Sequence, residues 1–138
     1  MPRTQTLNLQ IPNREINVQI SEGGTGDNCL VYLHGFNGFE EWPSFLEALE
    51  AHFRIFVPSH PGISNSTGLD QIDDLWDLTL VYEELISALN IDRAVVIGHS
   101  YGGMIAAELA SHRADMITKL VLVDSFGLWL DTEPIPDI

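Results

Sequence analysis

The chain has 138 residues, of which 45% are hydrophobic, a length and composition suited to one compact domain with a buried core. Twenty acidic residues against six basic ones give a formal net charge of −14, which argues against nucleic acid or an anionic membrane as a partner because both need clustered Lys and Arg. The amino-terminal residues lack the apolar core of a signal peptide and no apolar run reaches membrane-spanning length, so we expect a cytoplasmic protein.

The first quarter of the sequence predicts a hairpin followed by a buried strand. Residues 6–11 and 14–20 alternate polar and apolar side chains around Pro12-Asn13, a pattern typical of antiparallel strands at a sheet edge. A Gly-rich turn is expected at 21–28. Residues 29–33 are apolar without alternation, as in a parallel strand that is covered on both faces.

The middle of the sequence predicts two helices and one strand. A helix is expected from about Trp42, with Pro43 at its first helical position and apolar residues recurring at Phe45, Leu46, Leu49 and Phe53. A strand at 53–57 ends at Pro58, and a loop rich in Gly, Ser, Asn and Pro covers 59–68. The next helix is longer, and its apolar stripe comprises Ile72, Leu75, Trp76, Thr79, Tyr82, Ile86 and Leu89.

The last third predicts a strand at 94–97, a helix rich in small residues at 101–113 and a strand at 120–123, after which 131–138 forms a boundary segment with two prolines. Strands and helices that alternate after an antiparallel start predict an α/β fold with a mostly parallel sheet. Because neither a repeat nor a low-complexity linker divides the sequence, residues 1–138 are expected to form one structural unit.

Residues 98–103 read Gly-His-Ser-Tyr-Gly-Gly and directly follow the buried strand at 94–97. A serine on a sharp strand-to-helix turn projects its hydroxyl above the sheet, and here Gly98, His99 and Gly102 are expected to support that turn. The helix after Ser100 directs its free N–H groups at the same point, so the Tyr101 N–H is placed to bind a developing oxyanion. A turn that merely packs a helix against a strand would also explain the five residues 98–102 taken alone. Their position between a buried strand and a small-residue helix favours a nucleophile.

A second segment supports this interpretation. Leu33-His34-Gly35-Phe36 ends the preceding parallel strand, where a glycine lets the backbone turn so that the Phe36 N–H faces Ser100. Phe36 and Tyr101 would then supply two main-chain donors to an oxyanion.

These residues resemble the α/β-hydrolase superfamily, in its branch of cap-bearing esterases and carbon–carbon hydrolases. The resemblance extends over essentially the whole chain and rests on four motifs in order: His34-Gly35-Phe36, Pro58-Ser59-His60-Pro61-Gly62, Gly98–Gly103, and Leu120–Asp124 leading into Gly127-Leu128-Trp129-Leu130. It implies that Ser100 is the nucleophile and that Phe36 and Tyr101 form the oxyanion hole, with no metal or organic cofactor. A serine in place of aspartate disfavours the dehalogenase and epoxide-hydrolase chemistry of related families.

The resemblance also implies that part of the fold is absent. Family members usually place the triad acid after the seventh strand and the histidine after the eighth, whereas this sequence reaches only the first six strands and contains neither the last strands nor the cap. Some relatives carry the acid at the end of the sixth strand, where Asp124 stands. Asp124 is therefore a candidate acid, and a polar residue that merely closes a strand is an equally good interpretation.

None of the five histidines is a convincing base. His112 lies twelve residues along a helix from the serine, roughly 18 Å away, and His52 is expected at the opposite end of the sheet. His99 adjoins the serine, but its side chain is directed elsewhere. His34 is expected to support the oxyanion loop, which is the segment His34-Gly35-Phe36 that carries the Phe36 N–H. His60 is expected to belong to a loop or the pocket wall. Catalysis by either histidine is the lesser alternative.

Residues 120–123 would form an unpaired, apolar sheet edge, which is prone to aggregate when bare. We therefore expect a complementary polypeptide that supplies the cap, the last strands and the catalytic histidine, so that the two chains form an obligate heterodimer. The alternative is that the chain is a fragment.

The sequence thus predicts the nucleophile-bearing half of a serine hydrolase, a carboxylesterase-like enzyme that acts on small apolar esters through an acyl-enzyme. A ligand-binding or interaction protein on the same scaffold, or an inactive fragment, remains the alternative. Ester hydrolysis and carbon–carbon bond hydrolysis both fit the sequence.

Overall fold

The structure, a computed structural model, describes residues 2–38, 41–127 and 131–132. The strands are β1 (Arg3–Ile11), β2 (Arg14–Gly23), β3 (Asn28–Leu33), β4 (Phe53–Pro58), β5 (Ala94–His99) and β6 (Ile117–Val123). The helices are α1 (Ser44–Glu47), α2 (Leu75–Ala88) and α3 (Tyr101–His112), with short 3₁₀ turns at Leu69–Gln71 and Ala114–Met116.

The six strands form one sheet in the order β1-β2-β4-β3-β5-β6. β1, β2 and β4 pair antiparallel, whereas β4, β3, β5 and β6 run parallel to one another. The α/β architecture with a mostly parallel sheet is thereby confirmed. Because parallel strands point their carboxyl ends the same way, the loops after β3, β4, β5 and β6 meet at one edge of the sheet.

The hairpin at the start of the chain follows the predicted pattern, with Pro12-Asn13 as a two-residue connection and Asn13 in the left-handed region at φ 61°. The turn predicted at 21–28 is shorter, because β2 continues to Gly23. Its last four residues pair with β4, from Ile20 opposite Pro58 to Gly23 opposite Ile55. This pairing joins residues far apart in sequence, so the local pattern does not reveal it.

The predicted helix near Trp42 is wrong in its extent. α1 has only four residues, and Pro43 precedes it in an extended conformation instead of occupying its first helical position. Beyond Glu47 the backbone forms turns, in which the Leu49 N–H donates to the Leu46 carbonyl at 3.0 Å. The chain must reverse within a few residues to enter β4, which is incompatible with a longer helix.

Helix α2 begins one turn after Ile72, because the Asp74 carboxylate accepts a hydrogen bond from the Asp77 N–H at 2.9 Å and caps the helix. Most of the predicted stripe faces the core, but Trp76 does not: it is 54% exposed and its ring packs at a tilt against that of His112, with 3.8 Å between centroids. A large indole can satisfy an apolar pattern and still lie on the surface of the helix.

The two faces of the sheet carry separate apolar cores. The larger core lies under α2 and α3 and includes Tyr82, Leu85 and Ile105; the smaller lies on the α1 face around Tyr32, Leu46 and Ile55. No helix in the described part of the chain is long and apolar enough to cross a membrane. Residues 128–130 and 133–138, which belong to the last motif and the predicted boundary segment, lie outside the described residues.

Candidate active site

Ser100 occupies a strained turn between β5 and α3. Its φ is 53° and its ψ −115°, a conformation that a residue with a side chain rarely adopts. The turn places the serine at the amino terminus of a twelve-residue helix, whose first N–H groups have no partner within the helix. The turn therefore places Ser100 at the positive end of the α3 dipole.

The glycines beside Ser100 are required by close packing. A Cβ on Gly98 would lie 2.5 Å from the Gly102 carbonyl oxygen and 2.8 Å from the Ala106 Cβ. A Cβ on Gly102 would collide with the Leu33 carbonyl and lie 2.5 Å from the His34 carbonyl oxygen. Both positions thus exclude any larger residue while α3 stays pressed against β3 and β5.

The end of β6 holds the serine turn through its backbone. The Ser100 N–H donates to the Val123 carbonyl at 2.9 Å, and the Phe126 N–H donates to the Ser100 carbonyl at 2.9 Å. Between these two bonds lies Asp124, exposed and in the left-handed region at φ 45°. The candidate acid therefore directly follows β6, the strand next to β5, at the same carboxyl end of the sheet as the serine.

The loop after β3 lies directly against this turn. A Cβ on Gly35 would be 3.7 Å from the Ser100 Cβ, an ordinary contact distance, and 3.1 Å from the His99 Nδ1, which is tight. Phe36 is 70% exposed, and its ring meets that of Tyr101 edge to face at 5.8 Å. The structure thus brings the two residues named as oxyanion donors together around the serine turn.

Hydrogen bonds fix the peptide that carries the Phe36 N–H. Its carbonyl, that of Gly35, accepts from the His34 Nδ1–H at 2.7 Å and from the Gly38 N–H at 3.1 Å. Since a trans peptide sets its N–H opposite its carbonyl, these two bonds also set the direction of the Phe36 N–H. His34, which is almost fully buried, thus contacts the loop it was expected to support.

His60, expected in a loop or the pocket wall, lies in the loop after β4 and beneath the loop after β3. It is only 2% exposed, its Nε2 is 2.8 Å from the His34 carbonyl oxygen, and its Nδ1 bonds to the Tyr82 hydroxyl. The ring packs on His34, with 4.0 Å between centroids, and meets Tyr101 edge to face. Sequence reasoning counted Tyr82 only among the apolar stripe of α2 and missed its hydroxyl, because helical periodicity carries no information on hydrogen bonds.

Burial holds both histidines in the neutral form. Desolvation, with a smaller contribution from the neighbouring His34, lowers the pKa of His60 from 6.5 to about 3. Desolvation also lowers the pKa of His34. For Tyr82, burial raises the pKa well above its ordinary value, so its hydroxyl remains a donor at any physiological pH.

All five histidines lie within the described residues, and none of them hydrogen-bonds to the Ser100 hydroxyl. His99 points to the α1 face of the sheet, beside Tyr32 and Val121, and its Nδ1 would be 3.1 Å from a Cβ on Gly35. His112 binds the Glu108 carbonyl at 2.8 Å at the far end of α3, and His52 is exposed at the amino end of β4. Within the described residues, the Ser100 hydroxyl therefore has no histidine as a hydrogen-bond partner.

The six basic residues of the chain all lie away from the serine. Arg3 and Arg54 pair with Glu22, Arg14 pairs with Asp77, and Arg113 pairs with Glu83 and Asp115. Arg93 donates to the carbonyl of Ile117, and Lys119 lies within β6. Over residues 2–38, 41–127 and 131–132, no three His, Cys, Asp or Glu side chains are grouped so that they could hold a metal ion.

Comparison with known proteins gives a consistent result. A family model described as the alpha/beta hydrolase fold matches residues 28–137. A soluble epoxide hydrolase of Corynebacterium sp. strain C12 is 34% identical over 115 residues, which cover 78% of this chain and 39% of the relative. A pimeloyl-(acyl-carrier protein) methyl ester esterase of Pectobacterium carotovorum is 32% identical over 103 residues, covering 74% and 38%.

A solved structure resembles the fold of this chain over nearly all of its residues. The epoxide hydrolase CorEH superimposes with a TM-score of 0.83 at 25% identity, over 99% of this chain and 47% of that one. The chain thus spans about two-fifths of the length of the curated relatives that it matches.

Proposed function

Because the chain belongs to the α/β-hydrolase fold family, we propose that it is the nucleophile-bearing part of a serine hydrolase that cleaves small, neutral, apolar esters. The observation that carries this proposal is Ser100 at φ 53° on a strand-to-helix turn, with the Gly35-Phe36 loop against it. A strained serine at a helix amino terminus costs folding energy, and it is explained by the chemistry that it permits.

In the proposed mechanism the Ser100 Oγ attacks the ester carbonyl carbon while a base takes its proton. The carbonyl oxygen becomes an oxyanion that the Phe36 and Tyr101 N–H groups stabilise, and each donor contributes about 3–4 kcal/mol to the transition state. The protonated base then gives its proton to the departing alkoxide, which leaves an acyl-enzyme. Water activated by the same base hydrolyses the acyl-enzyme and releases the carboxylic acid.

A neutral ester is favoured over an anionic substrate by the charges around the site. The arginines are paired or hydrogen-bonded away from the serine, Lys119 lies within β6, and a net charge of −14 repels anions. Phe36 and Phe126, 70% and 60% exposed, lie beside the serine turn and add apolar surface there. Such surface binds the acyl or alkyl portion of an apolar ester.

Epoxide hydrolysis, the activity in the name of one relative, is the less suitable chemistry for Ser100. A serine that opens an epoxide forms an ether, which water does not cleave, so the enzyme would stop after one turnover. Attack on an ester forms an acyl-enzyme, which water does cleave. The nucleophile therefore favours ester chemistry.

The base is proposed to come from a complementary polypeptide that pairs with β6 and contributes a histidine. Four consecutive apolar residues of this edge strand, 120–123, are 37–44% exposed, and their side chains alternate between the two faces of the sheet. A strand added beside β6 would cover the edge and end next to Asp124, the proposed acid. A native complex whose mass includes a second chain supports this arrangement. A catalytic histidine that lies in the same continuous polypeptide as residue 138 contradicts it.

Labelling with a fluorophosphonate tests the nucleophile. In the native assembly we expect a covalent adduct on Ser100, found by peptide mass spectrometry and absent in Ser100→Ala. Ser64→Ala is a matched control, because Ser64 is an exposed serine that also has a φ of 53° but precedes no helix. A native assembly that binds ligands without forming the adduct would instead support a non-catalytic binding protein.

A further inference from the structure

We propose that Tyr82 and His60 act together as positioning residues that hold the oxyanion loop in its reactive conformation. This inference rests on the proposed function for its catalytic consequence, and on hydrogen bonds within the fold for the positioning itself. Neither residue hydrogen-bonds to the serine. His60 was expected only in a loop or the pocket wall, and Tyr82 only in the apolar stripe of α2.

The geometry determines which nitrogen of His60 carries the proton. The His34 carbonyl can only accept, so the Nε2 of His60, 2.8 Å away, must donate to it. The ring is neutral and carries one proton, which leaves Nδ1 as an acceptor for the Tyr82 hydroxyl. The result is a directed series from Tyr82 O–H to Nδ1 and from Nε2–H to the His34 carbonyl.

This series connects the loop to the larger apolar core of the molecule. Tyr82 is 1% exposed and belongs to the main core under α2. On the other side, the backbone next to His60 is held to β2, because the Ser59 N–H donates to the Gln19 carbonyl at 2.8 Å. His60 is therefore fixed at both its ring and its backbone.

At the loop, two consecutive peptide planes are held by two histidines. His60 fixes the His34 carbonyl, and His34 Nδ1–H fixes the carbonyl of Gly35. Without the first bond, the peptide before Gly35 could rotate, since glycine allows many backbone conformations. Rotation would turn the Phe36 N–H away from the oxyanion of a substrate bound at Ser100, and catalysis is sensitive to displacements of about 1 Å.

The test replaces Tyr82 with Phe, which removes one hydroxyl and leaves the ring. Thr79→Val is the matched control: it removes a buried hydroxyl one turn away on α2 that bonds only to the Leu75 carbonyl. We expect Tyr82→Phe to lower kcat for an ester in the native assembly about 10-fold with little change in KM, and Thr79→Val to leave both unchanged.

His60 provides a second pair of variants. His60→Leu is expected to lower kcat about 100-fold, because a misdirected N–H loses most of what one oxyanion donor supplies. His60→Gln keeps an N–H that can reach the His34 carbonyl and should restore part of the rate. Thermal unfolding of each variant shows whether a loss of rate reflects a loss of folded protein.

A readout independent of catalysis separates this inference from the proposed function. In protein labelled with ¹⁵N-histidine, the ring nitrogen signals of His60 should show the Nε2–H form alone, and Tyr82→Phe should admit the other tautomer and speed exchange of the Gly38 amide. If Tyr82→Phe keeps the wild-type His60 tautomer, the wild-type exchange rate of the Gly38 amide and the wild-type kcat, the positioning role is overturned. If Ser100 proves unreactive, the proposed function fails, while the tautomer and exchange still decide whether Tyr82 and His60 hold the loop.

Discussion

Acidification from pH 7 to pH 5 should destabilise the fold by about 2 kcal/mol through His60 alone. The pKa of His60 is about 3 in the folded protein and 6.5 in the unfolded chain, so below pH 6.5 the unfolded chain binds a proton that the folded protein refuses. Each pH unit in that interval removes roughly 1.4 kcal/mol, and 1.5 units separate 6.5 from 5. The stability is complete above pH 6.5 and continues to fall toward pH 3.

Urea denaturation at pH 7, 6 and 5, followed by far-UV circular dichroism, measures this slope. The interval lies above the range in which the ion-paired carboxylates of Asp77 and Asp115 take up protons, because their partners Arg14 and Arg113 lower the pKa of each carboxyl. His34 adds to the slope in the same direction, because its pKa is also lowered by burial.

His60→Gln serves as the control, because it removes the titrating ring and leaves His34 in place. The variant should show a shallower dependence on pH, with about 2 kcal/mol less lost between pH 7 and 5. A wild-type free energy of unfolding that is constant over this interval, or a variant with the same slope as the wild type, would refute the argument that His60 is buried in its neutral form.

Three further variants test the packing around the site. Gly102→Ala should cost about 3 kcal/mol or more in thermal unfolding, because its Cβ collides with the carbonyl that ends β3; full stability would contradict the close approach of α3. Asp74→Ala should cost about 1 kcal/mol through loss of the α2 cap, whereas Asp73→Ala, which caps nothing, should cost less than half of that. Val121→Lys on β6 should weaken binding of a complementary polypeptide in sedimentation experiments at least 10-fold more than Thr118→Lys, an exposed change at the start of the same strand; equal effects would contradict docking at this edge.

Much of the fold was predictable because its strands are locally distinctive. The unbroken apolar run at 29–33 and the alternation before Pro12 each correspond to a strand of the predicted kind. The extension of β2 to Gly23 was not predictable, since it depends on pairing with β4 more than thirty residues away. The short α1 was overestimated because its apolar spacing continues past the residue where the chain must turn back.

The site shows the same division. Ser100, Gly98 and Gly102 follow from a local motif whose spacing itself encodes the turn. The hydrogen bond between His60 and Tyr82 depends on two loops and a helix that meet at the carboxyl end of the sheet, and neither residue type predicts it. A histidine can serve as base, ligand, surface residue or buried donor, and only its surroundings distinguish these roles.

The central claim is that Ser100 is an activated nucleophile. Its most direct test is treatment of the native assembly with a fluorophosphonate, followed by mass spectrometry of the peptide that carries residues 98–103. The account predicts one adduct, on Ser100, that forms in the wild type and in Ser64→Ala and is absent in Ser100→Ala. An intact native assembly in which Ser100 remains unmodified would contradict it.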